Sequence, residues 1–243
     1  TDAWGGSLEN RARIHLEIIK KCREEVGSDF AISIKMNSAD FQKGGFSPED
    51  SIQVAKLFSD SGIDNIEISG GTYEQPRLLG LDKVSINPKR SENRKESTIA
   101  REAYFLSYAE EIAKVVNIPL MVTGGFRTKE GMEAALADGA CEIVGVGRPL
   151  CANPYAIKEL LAGQIDELPK YEKTLSIGPW WLSPTSPFRL IQAINAFSAQ
   201  AWFYQQIKKM GKGLMPDLGL KPWKAFREDA KADQEAIKEY QNI

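Results

Sequence analysis

The chain has 243 residues, of which 42% are hydrophobic and 26% are charged, which is the profile of a globular protein with a substantial core. Its formal net charge of -2 excludes the global positive field that proteins binding nucleic acid or anionic membranes need. Cys22, Cys141 and Cys151 are odd in number and have no framework spacing, so we expect a reducing, cytoplasmic compartment. No segment has the length of a membrane span or the pattern of a signal peptide, and we expect no membrane partner.

In chain order, the sequence predicts an initial helix and then strands that alternate with helices. Ser7 can cap a helix that begins at Leu8, and Gly27 follows its last turn. Four short apolar runs are then predicted to be strands: 30–36, 65–69, 120–123 and 142–146. A segment with helical periodicity follows each run, up to Gly163. This alternation predicts an α/β fold with a parallel sheet, and we expect its strands to be apolar throughout rather than alternating in polarity.

Two segments depart from this pattern. The polar connection from Thr72 to Ser97 is longer than a usual strand-to-helix loop, and it predicts either an excursion over the active-site face or a plain surface loop. From residue 164 onward the chain is rich in proline and aromatic residues, and it continues into an aromatic helix and a charged C-terminal helix. We therefore expect two domains, 1–163 and 164–243.

The candidate site consists of glycines and cations that follow the strands. Gly124 and Gly125 follow the third strand, and Gly147 and Arg148 follow the fourth. Glycines let a phosphate approach backbone N–H groups, and an arginine adds a bidentate contact. In eight-stranded α/β barrels the phosphate site commonly uses the loops after the last two strands. The alternative is that the glycines form tight turns without a ligand, and "GVGRPL" lacks the third glycine of a dinucleotide-binding motif.

Three further side chains have competing interpretations. Lys35 is expected at the carboxyl end of its strand, where a cation stabilises negative charge on a ligand, although a structural ion pair is the alternative. His15 is the only histidine, and its position in the first helix predicts a surface residue. Cys151 is predicted to be a small buried residue rather than a reactive thiol. With one histidine and no paired cysteine motif, neither a metal site nor a serine-hydrolase triad is expected.

Five separated motifs resemble the old yellow enzyme family of flavin oxidoreductases, which includes the NADH:flavin oxidoreductases. The segment "TDAWGGSLENRAR" is similar to the one that precedes the fifth barrel strand in that family. It is followed in order by "ISIKMNSADF", "IEISGGTYE", "VTGGF" and "VGVGRPLCANP", which resemble strands five to eight. The resemblance extends from Thr1 to about Gly163. It implies the C-terminal half of a TIM barrel, strands 5–8, with a helical C-terminal extension.

The resemblance also implies a cofactor and residue roles. It assigns Lys35 to the pyrimidine edge of FMN, and Gly124, Gly125, Gly147 and Arg148 to the FMN phosphate. Hydride is expected to pass from NAD(P)H through FMN to a small-molecule substrate, an activated alkene or a similar acceptor. The family's substrate-anchoring and proton-donating residues lie on its first four strands, which have no counterpart here. The catalytic residues are therefore expected outside this sequence, in a missing N-terminal half.

Two alternatives stay open at this point. The chain is either part of such an enzyme or a non-catalytic half-barrel, truncated or degenerate, which forms a homo-oligomer or needs a complementing N-terminal half. A barrel enzyme that binds phosphate without flavin, such as an aldolase or isomerase, is the weaker alternative. A catalytic lysine or a carboxylate pair at the strand ends would favour it, and Lys35 alone does not suffice. No nucleic-acid partner is expected in any of these cases.

Overall fold

The computed structural model describes residues 2–40, 44–70 and 105–241. These residues divide into two compact units, the first containing the described residues up to Val146 and the second those from Gly147 onward. The predicted excursion from Thr72 to Ser97 lies outside the described residues, so its two interpretations both stay predictions. The division into domains 1–163 and 164–243 also stays a prediction.

The first unit contains a four-stranded parallel sheet. The strands lie side by side in chain order: β1 Ser33–Asn37, β2 Asn65–Ser69, β3 Leu120–Thr123 and β4 Ile143–Gly145. Each adjacent pair is parallel, with Lys35 opposite Glu67 and Thr123 opposite Gly145. The predicted parallel α/β sheet and its strand order are therefore confirmed. The first strand begins at Ser33, three residues later than predicted. Phe30 lies before it, and its side chain is exposed.

Helices connect the strands within this unit. Their bounds are α1 Leu8–Val26, α2 Pro48–Asp60, α3 Leu106–Ala113 and α4 Lys129–Ala137. The side chains of Ser7, Ser47 and Thr128 cap three of them, each accepting a hydrogen bond from a backbone N–H in the first turn. The first residues of the helix predicted between β2 and β3 lie outside the described part. Among the described residues it begins at Leu106, with Phe105 as N-cap.

β1 and β2 alternate in polarity, so the expectation of continuously apolar strands is wrong for these two, whereas β3 and β4 are largely apolar. Ile66, Ile68, Leu120 and Val122 are fully buried and pack against apolar residues of all four helices. The intervening strand residues point to the other face and include Lys35, which is exposed. Within the described part of the first unit, none of these intervening residues belongs to the hydrophobic core. The helices of this unit thus cover one face of the sheet. A sheet that is covered on one face requires buried apolar residues only at every second position, even when its strands are parallel.

The second unit is helical. It contains α5 Arg148–Ala152, α6 Ala156–Leu161, two 3-10 turns at Tyr171–Lys173 and Trp180–Leu182, α7 Arg189–Met210 and α8 Pro222–Gln241. Its core surrounds Trp202, which is 1% exposed and whose Nε1 donates to the carbonyl of Leu220 at 2.9 Å. Gln206 is also buried and exchanges two hydrogen bonds with the backbone of Asp217. In the described part of the chain, no helix is both long and apolar enough to cross a membrane.

Candidate functional site

The turn after β3 has a backbone that only glycine adopts readily. Gly124 has a φ of 128° and Gly125 a φ of 88°, both in the region that disfavours residues with a side chain. Within the described residues, the backbone N–H groups of these two glycines make no hydrogen bond to the backbone. Since Thr128 caps the helix that follows, the turn presents two free donors beside a helix N-terminus. This arrangement suits an anion such as phosphate.

A buried aromatic ring supports this turn. Phe105 is buried, and its ring lies beside the carboxyl ends of both β2 and β3. A Cβ built on Gly124 would meet Phe105 Cε2 at 3.6 Å, an ordinary contact, whereas one on Gly70 would lie only 2.6 Å from Cε1. The glycine at 70 is therefore required by packing against the ring. Its neighbour Gly71 lies outside the described residues.

Two buried hydroxyl groups lie near the strand ends. Ser38 follows β1 and Thr123 ends β3, and neither side-chain oxygen has a hydrogen-bond partner among the described residues. Buried polar groups are nearly always hydrogen-bonded to protein, water or ligand. Thr123 directly precedes the glycine turn. Its hydroxyl is therefore a buried polar group at the end of β3 for which the described residues supply no partner.

Lys35 lies in the middle of β1 and forms an ion pair. The strand ends at Asn37, so the expected position of Lys35 at its carboxyl end is wrong by two residues. Its Nζ donates to Glu67 Oε1 at 2.6 Å across the β1–β2 pair. The lysine side chain is 55% exposed and the glutamate side chain 19%. The structural ion pair considered as the alternative is thus present, on the sheet face that the described helices leave uncovered.

Gly147 and Arg148 lie at the beginning of the second unit, two and three residues after β4 ends. Gly147 has a φ of -113°, which any residue can adopt, and a Cβ built on it would meet nothing within 4 Å. Neither backbone conformation nor packing within the described chain therefore requires glycine at 147. Arg148 is partly buried, and no acidic group in the described residues pairs with it. Its charge is available to an anion.

His15 and Cys151 are the remaining candidate side chains, and Cys151 is half-buried rather than fully buried as predicted. Burial raises the pKa of the Cys151 thiol, and the nearby Arg148 acts in the opposite direction more weakly. A raised pKa keeps the thiol protonated at neutral pH, which agrees with an unreactive residue. His15 is exposed, with its ring centroid 6.0 Å from that of Phe58. Among residues 2–40, 44–70 and 105–241 no group of acidic, histidine or cysteine side chains could hold a metal ion.

Glu67 is the residue of this region that the sequence analysis missed. The strict alternation in "NIEIS" places Glu67 on the same face as Asn65 and Ser69, away from the buried isoleucines. That alternation was a sufficient signal that the carboxylate points away from the helices. Its partner could not be predicted, because the pairing depends on the register between β1 and β2.

Fold and site together define a parallel α/β protein with a glycine turn suited to phosphate after its third strand. A family model described as "NADH:flavin oxidoreductase / NADH oxidase family" matches residues 1–167, and the chain belongs to this family. The family resemblance drawn from the five motifs is thereby confirmed.

Several curated relatives share this family. The chain is 40% identical over 166 residues to the NADH-dependent flavin oxidoreductase iliE of Hypocrea jecorina (strain QM6a), covering 66% of this chain and 38% of the relative. It is 33% identical over 215 residues to the NADH-dependent flavin oxidoreductase iccE of Talaromyces variabilis, covering 87% of this chain and 49% of the relative. It is 34% identical to the NADH oxidase of Thermoanaerobacter brockii, covering 86% of this chain and 30% of the relative. The chain spans less than half the length of each of these proteins.

Solved structures agree with the fold. A 2-naphthoyl-CoA reductase in complex with 2-naphthoyl-CoA is 31% identical with a TM-score of 0.56, covering 69% of this chain and 24% of that one. Histamine dehydrogenase from Rhizobium sp. 4-9 is 22% identical with a TM-score of 0.51, covering 68% of this chain and 21% of that one. The second likeness concerns the fold alone.

Proposed function

We propose that this chain supplies the FMN-phosphate-binding part of an old yellow enzyme-type oxidoreductase, as strands 5–8 of a TIM barrel with a helical C-terminal extension. The family and the NADH-dependent relatives support a flavin oxidoreductase that uses NADH. The observation that carries the proposal is the glycine turn after β3, because its conformation disfavours residues with a side chain and its N–H groups have no backbone partner within the described chain.

The phosphate contacts follow from these residues. Gly124 and Gly125 donate backbone hydrogen bonds to phosphate oxygens. From the family resemblance alone we also assign Arg148 as a cation for the phosphate and Gly147 as a position whose missing side chain lets the phosphate approach. Each charge-assisted hydrogen bond of this kind contributes roughly 1.5–3 kcal/mol.

Lys35 supplies charge on the uncovered face of the sheet. A bound FMN would supply hydride transfer from NAD(P)H to an activated alkene or a similar small acceptor. Lys35 lies two residues before the end of β1, which is about 7 Å at 3.3 Å per residue. Its flexible side chain lies on the uncovered face. In this proposal it stabilises negative charge on the pyrimidine edge of the flavin. We assign no proton donor and no substrate anchor within these residues.

The activity requires more polypeptide than this chain. Because most of a cofactor's surface is normally enclosed by its site, the phosphate contacts alone hold FMN weakly, and we expect a dissociation constant of about a micromolar or more. A non-catalytic half-barrel stays the alternative proposal. Its partners would be a complementing N-terminal half or further copies of the chain.

A comparison of FMN with riboflavin tests the proposal. Flavin fluorescence would be titrated with this chain and with a longer protein that adds four N-terminal strands. We expect weak FMN binding to the chain, tight binding to the longer protein, and at least tenfold preference for FMN over riboflavin in both. Tight FMN binding without NADH oxidation would favour the non-catalytic half-barrel. Failure of the longer protein to bind FMN would overturn the flavin proposal.

A further inference from the structure

We propose that Glu67 is a positioning residue that sets how much positive charge Lys35 presents to the reduced flavin. The inference rests on the proposed function, because it concerns the same FMN site. It assigns a role to a carboxylate that lies on neither a glycine turn nor a helix N-terminus.

The register of the sheet brings the two charges together. Lys35 and Glu67 are opposite each other on neighbouring parallel strands and point to the same face. Their 2.6 Å separation is that of a short charge-assisted hydrogen bond. Glu67 therefore holds the lysine ammonium in one position, although the lysine side chain has four rotatable bonds.

The same contact reduces the field of the cation. An isolated ammonium acts on a third group as a single charge, whereas an ammonium paired with a carboxylate acts as a dipole, whose field falls off faster with distance. On the other side of Glu67, the neighbouring position in β3 is Met121, which carries no charge. Within the described chain, Lys35 is the only ion-pair partner of Glu67. Removing the carboxylate charge thus leaves the lysine charge uncompensated.

The location of this pair distinguishes it from an ordinary surface ion pair. Lys56 and Asp60 pair along the exposed side of α2, and both side chains are more than half exposed. Lys35 and Glu67 instead join two strands, and the carboxylate is largely buried on the face that the described helices leave uncovered. A pair in that position acts on whatever occupies the face. The Lys56–Asp60 pair acts on solvent and serves as a matched control.

The test is the midpoint potential of FMN bound to the full-length flavin-loaded protein. We expect Glu67→Gln to strengthen binding of reduced over oxidised flavin about tenfold, which raises a two-electron potential by roughly 30 mV. Glu67→Asp withdraws the carboxylate by one methylene and should give a smaller rise. Lys35→Gln should lower the potential. Adding Glu67→Gln to Lys35→Gln should give a smaller rise than Glu67→Gln alone, since the direct field of the carboxylate is lost in both backgrounds but only a lysine can be released from the pair.

Each outcome bears on a separate statement. Asp60→Asn, which breaks the control pair, should leave the potential unchanged. If Glu67→Asp folds and neither Glu67 variant changes the potential, the inference is wrong while the proposed function stands. The inference also fails if Glu67→Gln raises the potential equally in the Lys35→Gln background. If the unsubstituted full-length protein binds no FMN, the proposed function is wrong and this inference falls with it.

Discussion

Thr123 occupies the space that a side chain on Gly145 would need. A Cβ built on Gly145 would lie 1.9 Å from Thr123 Oγ1, 2.8 Å from Thr123 Cβ and 2.7 Å from Met121 Cε. Thr123 and Gly145 are opposite each other in the β3–β4 pair. The glycine that ends β4 is therefore explained by packing between neighbouring strands, without any ligand.

Gly145→Ala should accordingly destabilise the protein. Forcing a methyl group into this contact moves the side chain of Thr123 or separates the strands, at a cost of about 1–3 kcal/mol in the free energy of unfolding. Urea unfolding followed by circular dichroism measures the change. Thr123→Ala should recover part of the loss in the double variant, because it removes the hydroxyl that the new methyl meets. Gly147→Ala, with open space around the new Cβ, should leave stability unchanged within about 0.5 kcal/mol.

Gly125→Ala should destabilise for a different reason. Its φ of 88° disfavours any residue with a Cβ, and holding alanine there costs about 1–3 kcal/mol. Asparagine tolerates left-handed backbone better than alanine, so Gly125→Asn should be the milder variant. The comparison is made by thermal unfolding of the two variants side by side. Equal losses for alanine and asparagine would show that contact of the side chain with its surroundings, rather than φ, sets the cost.

Arg148→Ala should weaken FMN by about tenfold or more, because a charge-assisted contact to phosphate is lost. Riboflavin lacks the phosphate, so its affinity should change less than twofold. Arg148→Lys keeps the charge but not the planar guanidinium. Its FMN affinity should lie between those of the unsubstituted protein and Arg148→Ala. Lys212→Ala removes an exposed cation from the end of α7 and serves as the control. Equal weakening of FMN and riboflavin by Arg148→Ala would contradict a phosphate contact.

Asp64 should make the stability of the first unit depend on pH in the acidic range. The backbone N–H of Ile32 and then the Arg23 guanidinium lower the pKa of the Asp64 carboxyl below its ordinary value. Because the folded pKa is the lower one, the ionised carboxylate contributes stability that is full above about pH 4 and is lost as pH falls through the lowered pKa.

Asp64→Asn removes this titration. The variant should be less stable than the unsubstituted protein at pH 7, and the difference between the two should shrink as the pH falls from about 4 toward 2. Urea midpoints at a series of pH values measure it. A difference that stays constant over that range would show that the carboxylate charge contributes nothing.

The parallel sheet could be predicted because its signals are local. Apolar runs of strand length alternate with helical periodicity, and Ser7, Ser47 and Thr128 cap helices where the sequence allows. The alternation in "SIKMN" was not predicted, because the predicted strand begins at Phe30 and its first residues are mostly apolar. The contact between Lys35 and Glu67 could not be predicted, since it depends on how two strands separated by a helix align.

The glycine turn shows what a motif can and cannot establish. "VTGGF" predicted glycines after a strand, and the positive φ values of Gly124 and Gly125 supply the physical reason for both. Gly147 has neither a positive φ nor a crowded neighbour, so its identity has no explanation in the described chain apart from the phosphate proposed for it.

The uneven distribution of indole groups determines what intrinsic fluorescence can report. Of the five tryptophans, only Trp4 lies in the first unit, and it is exposed. Trp202 is buried in the core of the second unit, whereas the other three tryptophans of that unit, Trp180, Trp181 and Trp223, are exposed. The blue-shifted part of the emission therefore comes from Trp202, and its red shift on denaturation follows the melting of the helical second unit. Unfolding of the parallel sheet changes tryptophan fluorescence little. If the sheet unfolds at a different denaturant concentration, only far-ultraviolet circular dichroism detects it.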